Sequence, residues 1–110
     1  MKIYTLLDAV NAAGSVTSVE LGLGDLDKFS IHADFSGATL AGTLSLECSN
    51  DGSDWIMVEN SDQVVASAAS HMWNVSGASY QYVRVKWVPT GGTGTLTAKA
   101  TVKENIIKPS

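Results

Sequence analysis

Residues 28–36 read KFSIHADFS. Phe29, Ile31, Ala33 and Phe35 fall on one side of an extended chain, and Ser30, His32 and Asp34 on the other. Successive side chains of a strand point to opposite faces, so this alternation predicts a strand with one buried and one wet face. The period recurs at 42–49, GTLSLECS, where Leu44, Leu46 and Cys48 alternate with Thr43, Ser45 and Glu47. It recurs at 95–103, TLTAKATVK, where Leu96, Ala98, Ala100 and Val102 alternate with Thr95, Thr97, Lys99, Thr101 and Lys103. Shorter strand candidates lie at 2–7, 17–21, 55–59, 72–75 and 80–88. About eight strands without a convincing amphipathic helix predict an all-β chain, an antiparallel β-sandwich of jelly-roll type.

The links between these runs carry turn chemistry. SGATLAG at 36–42 and PTGGTG at 89–94 each join two alternating runs and are expected to be hairpins, with Pro89 ending its strand and the glycines supplying positive φ. SNDGSD at 49–54 offers Asp51-Gly52, a favoured hairpin pair. VVASAAS at 64–70 reads as a helical turn or a crossing loop. Residues 8–15 and 104–110 read as loop and tail. The expectation is one domain over 1–110, its core within about 16–103, with a flexible N-terminal segment and C-terminal tail.

The chain has 110 residues and 45% hydrophobic content, enough for one packed core and ordinary for a globular protein. Its formal charge of −4 argues against general nucleic-acid binding. The charge is uneven: residues 1–70 carry −8 and residues 71–110 carry +4. A single cysteine, Cys48, excludes an intrachain disulfide. The N-terminal apolar run is short and interrupted by Asp8, a poor secretion signal, and no run approaches the roughly 20 apolar residues of a membrane span. The expectation is a product made in a cytosol, without membrane partners.

Candidate chemistry is sparse. With Gly52 at the sixth position of an EF-hand loop, Glu47, Ser49 and Asp51 fall first, third and fifth, but Val58 falls where the closing Glu belongs. A looser calcium site would use Asp51 and Asp54; the plainer reading is a turn whose Asp and Asn side chains bond nearby amides. His32 and Asp34 share a wet face with Ser30 beside them, without the ordered relay of a triad. His71 has no evident partner, and two histidines with one cysteine are too few for a zinc site. Cys48 continues a buried face and reads as a core thiol. GATLAGT at 37–43 lacks the lysine and helix of a phosphate loop. Asn74–Ser76 forms a glycosylation sequon by letter only. No catalytic residue, cofactor or metal site is expected.

Aromatic and basic residues remain. Trp87 shares a face with Val83 and Val85, and Trp73 with Val75, so both read as core. Trp55 is expected to pack under the 49–54 turn and close the core there. A sugar-binding reading would use Asn50, Asp51, Asp54 and Trp55. Arg84 and Lys86 alternate outward from Val83, Val85 and Trp87. If 89–94 is a hairpin, Arg84, Lys86, Lys99 and Lys103 lie on one sheet face, suited to an acidic partner. Ile106 and Ile107 add an apolar contact point in the tail.

LECSNDGSDWIMV (46–58) and YQYVRVKWVP (80–89) together resemble a recurrent arrangement in discoidin-like β-sandwiches. Gly42, Leu44, Leu46, Ser49, Asn50, Asp51, Gly52, Trp55, Trp73, Asn74, Val75, Tyr80, Tyr82, Val83, Arg84, Val85 and the run 92–98 are also similar to small virion proteins of tailed phages, over about residues 28–103. That resemblance implies a capsid decoration (cement) protein on the virion surface that binds the major capsid protein and itself as a homotrimer, and is not an enzyme. The alternative it implies is a carbohydrate-binding module or a tail-fibre or adaptor component.

Overall fold

The computed structural model describes residues 2–24, 28–36, 40–65 and 70–102. In chain order the strands are β1 (Lys2–Asn11), β2 (Val16–Thr17), β3 (Leu21–Gly22), β4 (Phe29–Ser36), β5 (Ala41–Ser49), β6 (Ile56–Met57), β7 (Gln63–Val65), β8 (Ser70–Val75), β9 (Tyr82–Gly91) and β10 (Thr95–Val102). All pairings are antiparallel, and no helix occurs among the described residues. One sheet runs β1-β10-β4-β8. The other is centred on β9 and β5, with β2 and β3 along the outer side of β9 and β6 and β7 along the outer side of β5. Counting β2 with β3, and β6 with β7, as interrupted strands leaves eight. Their pairing (first with last, second with seventh, third with sixth, fourth with fifth) is that of a jelly roll.

The alternation read from sequence holds along β4, β9 and β10, whose apolar members are buried. One core lies between the sheets. Ile31, Leu44, Leu46, Val83, Val85, Trp87 and Leu96 are fully enclosed there. Trp87 and Trp73 are core residues, as their faces implied.

Two expected hairpins are not hairpins. β4 and β5 lie in different sheets, and so do β9 and β10, so each link crosses the sandwich. A short Gly-rich link serves either geometry, and a period of two does not tell which sheet the next strand joins. Pro89 does not end its strand: β9 runs to Gly91, and Pro89 sits opposite Gly42 at a register shift, where a missing N–H is tolerated. The hairpin at 49–54 does form, since β5 pairs with β6 through Glu47–Met57 and Cys48–Ile56, but its loop spans residues 50–55 rather than two.

The N-terminal segment, expected outside the core, is the edge strand β1, and it reaches into residues 8–11 that read as loop. Leu6 and Leu7 are both buried because a bulge between Thr5 and Leu7 breaks the alternation. Residues 104–110 lie outside the described residues.

The interruptions flanking the second sheet are repaired by two buried serines. Ser18, between β2 and β3, donates its N–H to the Val85 carbonyl and accepts the Val85 N–H on its hydroxyl, both at 2.8 Å. Ser61, between β6 and β7, accepts the Leu46 N–H at 3.1 Å and donates to the Leu46 carbonyl at 3.2 Å. Its own carbonyl receives the Trp73 indole N–H at 2.8 Å. Ser61→Ala leaves the buried Leu46 N–H unpaired, with an expected loss of about 1–3 kcal/mol. Equilibrium urea unfolding checks this; a loss within error would mean water takes the hydroxyl's place.

Candidate functional site

The 50–55 loop is built by two side chains of its own sequence. The Ser49 hydroxyl accepts the N–H groups of Asp51 (3.2 Å) and Gly52 (2.8 Å) and donates to Asp51 Oδ1 at 3.0 Å. Asp51 Oδ1 also accepts the N–H groups of Ser53 and Asp54 at 2.8 and 2.9 Å. Gly52 takes a φ of 79°, the left-handed conformation this turn requires. The plain turn reading of SNDGSD is thus the one observed. Among the described residues no three acidic, histidine or cysteine side chains group as a metal site.

The Asp54 and Ser53 amides, then the Ser49 hydroxyl, hold the Asp51 carboxyl below its ordinary value of 3.8. A depressed folded value stabilises the loop fully above pH 3.8, and this is lost as pH falls through the lowered value. The Ser53 and Asp54 amides are expected to lose hydrogen-exchange protection in that acid window. Asp51→Ala should lose it already at neutral pH. Protection unchanged down to pH 2 would contradict this.

Trp55 does not close the core. Its indole N–H donates to the Gly52 carbonyl at 3.3 Å, and the Arg84 guanidinium lies 4.0 Å from its ring centroid. Since Arg84 faces outward from β9, Trp55 packs on the outer face of the sheet, half-buried. Arg84 Nε donates to Glu47 Oε1 at 2.9 Å across the β5–β9 pair, and Lys86 Nζ reaches Glu47 Oε2 at 3.7 Å. Sequence reading missed Glu47 as the anchor of this cluster; the signal for it was its outward position in 42–49, opposite an outward base.

The four bases do not share one face. Arg84 and Lys86 lie on the outer face of the β9 sheet, and Lys99 lies opposite His32 on the outer face of the other sheet. Lys103, Ile106 and Ile107 fall outside the described residues. On the Lys99 face, His32 Nε2 and Asp34 Oδ1 are 3.3 Å apart, and the Ser70 hydroxyl donates to the same Asp34 oxygen. The aspartate sits between serine and histidine, so the histidine does not receive a serine proton as a triad requires.

Under the 50–55 loop lies a shallow cleft of about 210 Å³ lined by Cys48, Ser49, Asn50, Asp51, Asp54, Ile56 and Tyr80. Three of the four residues read as sugar contacts meet here; Trp55 does not line the cleft. Burial, then Glu47, raises the Cys48 thiol pKa, so it stays protonated and unreactive at neutral pH. Burial, then Cys48, raises the Tyr80 phenol pKa. The Tyr80 hydroxyl is enclosed with no hydrogen-bond partner among the described residues.

Fold and surface together define an antiparallel jelly-roll sandwich with a built loop at one end. No family model and no curated protein matches the sequence. Several solved structures share the fold, two of them as follows. The SPBc2 prophage-derived protein YomS aligns with a TM-score of 0.62 at 12% identity, covering 90% of each chain. The PBSX exported protein XepA aligns with a TM-score of 0.66 at 20% identity, covering 99% of this chain and 42% of its own.

Proposed function

We propose that this chain is a structural component of a bacteriophage particle, a capsid decoration protein that binds the major capsid protein and assembles as a homotrimer on the head surface. The observation that carries this reading is the fold, shared over nearly the whole chain with proteins of prophage origin. The outer face of the β9 sheet is the contact surface in this reading. There Arg84 is held in place by Glu47 and Trp55, Lys86 stays nearly half exposed, and Val88, Met57 and Val64 are exposed apolar neighbours. A held guanidinium loses less side-chain freedom on docking than a free one. The fold then serves as a rigid contact block and is not an enzyme.

Mass spectrometry and electron microscopy of purified particles test the proposal. The chain is expected on DNA-filled heads in multiples of three, with Arg84→Glu/Lys86→Glu protein failing to rebind stripped heads. Absence from the particle overturns it. Location on a tail fibre would instead favour the adaptor or carbohydrate-binding reading.

A further inference from the structure

We propose that the outer edge of β8 pairs antiparallel with β8 of a second copy of this chain, joining two four-stranded sheets into one continuous sheet. A strand edge left without protection is a template for another strand, and proteins blunt such edges with bulges, charges, prolines or interruptions. Three of the four sheet edges here are blunted. β1 carries two register shifts and the charges of Lys2 and Asp8. The outer sides of the second sheet are broken into pieces of two or three residues, β2 with β3 and β6 with β7. β8 has none of these devices. It pairs with β4 from Ser70 to Val75 without a register shift and contains no Pro, Lys, Arg, Asp or Glu. No described strand lies on its other side.

The edge is also held ready. The Trp73 indole N–H donates to the Ser61 carbonyl at 2.8 Å, and the Ser70 hydroxyl donates to Asp34. A strand fixed in this way loses little freedom on pairing. Met72, at its middle, is 56% exposed on the wet face.

The side chains select both the occupant and the register. Residues directly opposite in a sheet share a face, so a self-paired β8 admits only registers that match wet face to wet face. With Met72 on a two-fold axis, it meets Met72 of the second copy. Ser70 then meets Asn74 on the wet face, and His71 meets Trp73 on the core side. Apolar faces apolar and polar faces polar. Moving the axis to Trp73 would set Met72 against Asn74 and two indoles, each tied to its own Ser61, against each other. A foreign strand would have to supply this pattern, whereas the second copy carries it. The contact is isologous, so it closes at two chains and does not grow into a fibre.

The inference does not rest on the capsid reading. Pairing at β8 joins two chains, so within that reading it links neighbouring trimers and does not build one. Absence from the particle leaves it standing, and its failure leaves the particle test unchanged. The contact is small and its association in dilute solution is expected to be weak, so the test traps it covalently. Across the axis the two Cα atoms at position 72 would lie about 4.5–5.5 Å apart, inside the roughly 4.4–6.8 Å that a disulfide spans. Full-length Met72→Cys is expected to form a disulfide-linked pair under mild oxidation, since the native Cys48 is buried. Ser70→Cys and Asn74→Cys should each link poorly alone but link to one another when mixed. Lys99→Cys, exposed on an inner strand of the same face, is the control. Met72→Lys sets like charges across the axis on the wet face. In sedimentation at high concentration it should associate about fivefold more weakly than the parent, and an equal mixture with Met72→Glu should recover the association. Linking of Met72→Cys no faster than the control, or association unchanged by Met72→Lys, overturns the proposal. Linking at position 72 that appears only after residues 103–110 are deleted also overturns it and assigns the edge to the chain's own tail.

Discussion

Trp87→Ala is expected to destabilise the protein by about 3–5 kcal/mol, a large share of the roughly 5–15 kcal/mol that holds such a domain together. Trp87 is fully enclosed at the centre of β9. Its ring packs on Phe35 of the facing sheet, centroids 4.8 Å apart, so it joins the two layers. Its indole N–H donates to the Ala12 carbonyl at 2.8 Å and ties the end of the N-terminal segment to the core. Truncation removes the packing, opens a cavity and leaves that carbonyl without its donor. Urea unfolding should show a lower midpoint with an unchanged slope, because the surface exposed on unfolding is nearly the same. Trp87→Phe keeps the ring but not the N–H and should fall between parent and alanine variant. A loss below about 1 kcal/mol for alanine would mean the sheets close over the gap.

Gly42→Ala is expected to cost about 3 kcal/mol, the upper end for overpacking. A Cβ at position 42 would stand 2.7 Å from both Pro89 Cα and Trp87 Cη2 and would press on the Val88 carbonyl. Backbone cannot yield as a flexible side-chain tip can, so β9 would have to leave β5 at their register shift. Gly77→Ala is the matched control. Gly77 has a φ of 72° and open space around it, so only its left-handed backbone is penalised, by about 1–2 kcal/mol. Thermal or urea unfolding of both variants separates the two causes. Equal losses would show that the close approach at Gly42 relaxes without strain.

Much of the interior was legible because burial follows a local rule. Phe29, Ile31, Leu44, Leu46, Val83, Val85, Trp87 and Leu96 occupy alternate positions of their strands, and all are buried. The loop at 50–55 was legible as a turn for the same kind of reason: Ser49 and Asp51 bond amides within five residues of themselves. The cleft was only partly legible. Asn50, Asp51 and Asp54 stood out as loop polars, whereas Tyr80 reaches the cleft from a distant part of the chain and gives no local signal.

Trp55 shows the limit most clearly. Its position after the turn was plain, but which side of the sheet it packs against depended on Arg84 of β9 and on that residue's bond to Glu47. The serine repairs at Ser18 and Ser61 were invisible for a related reason, since each completes a ladder with a strand reached only through tertiary folding.

The sequence by itself determined that this chain forms antiparallel strands with one apolar face each, and which residues make that face, because side-chain alternation is a property of a single extended chain. Tertiary structure alone decided which strands became neighbours. It turned two expected hairpins into crossings between sheets, placed Arg84 and Lys86 on the opposite face of the sandwich from Lys99, and drew Cys48, Asp54 and Tyr80 around one cleft. A jelly roll pairs its first strand with its last. Such pairing is selected by the fit of two whole sheets around a common core, a cooperative choice that no single stretch of sequence encodes.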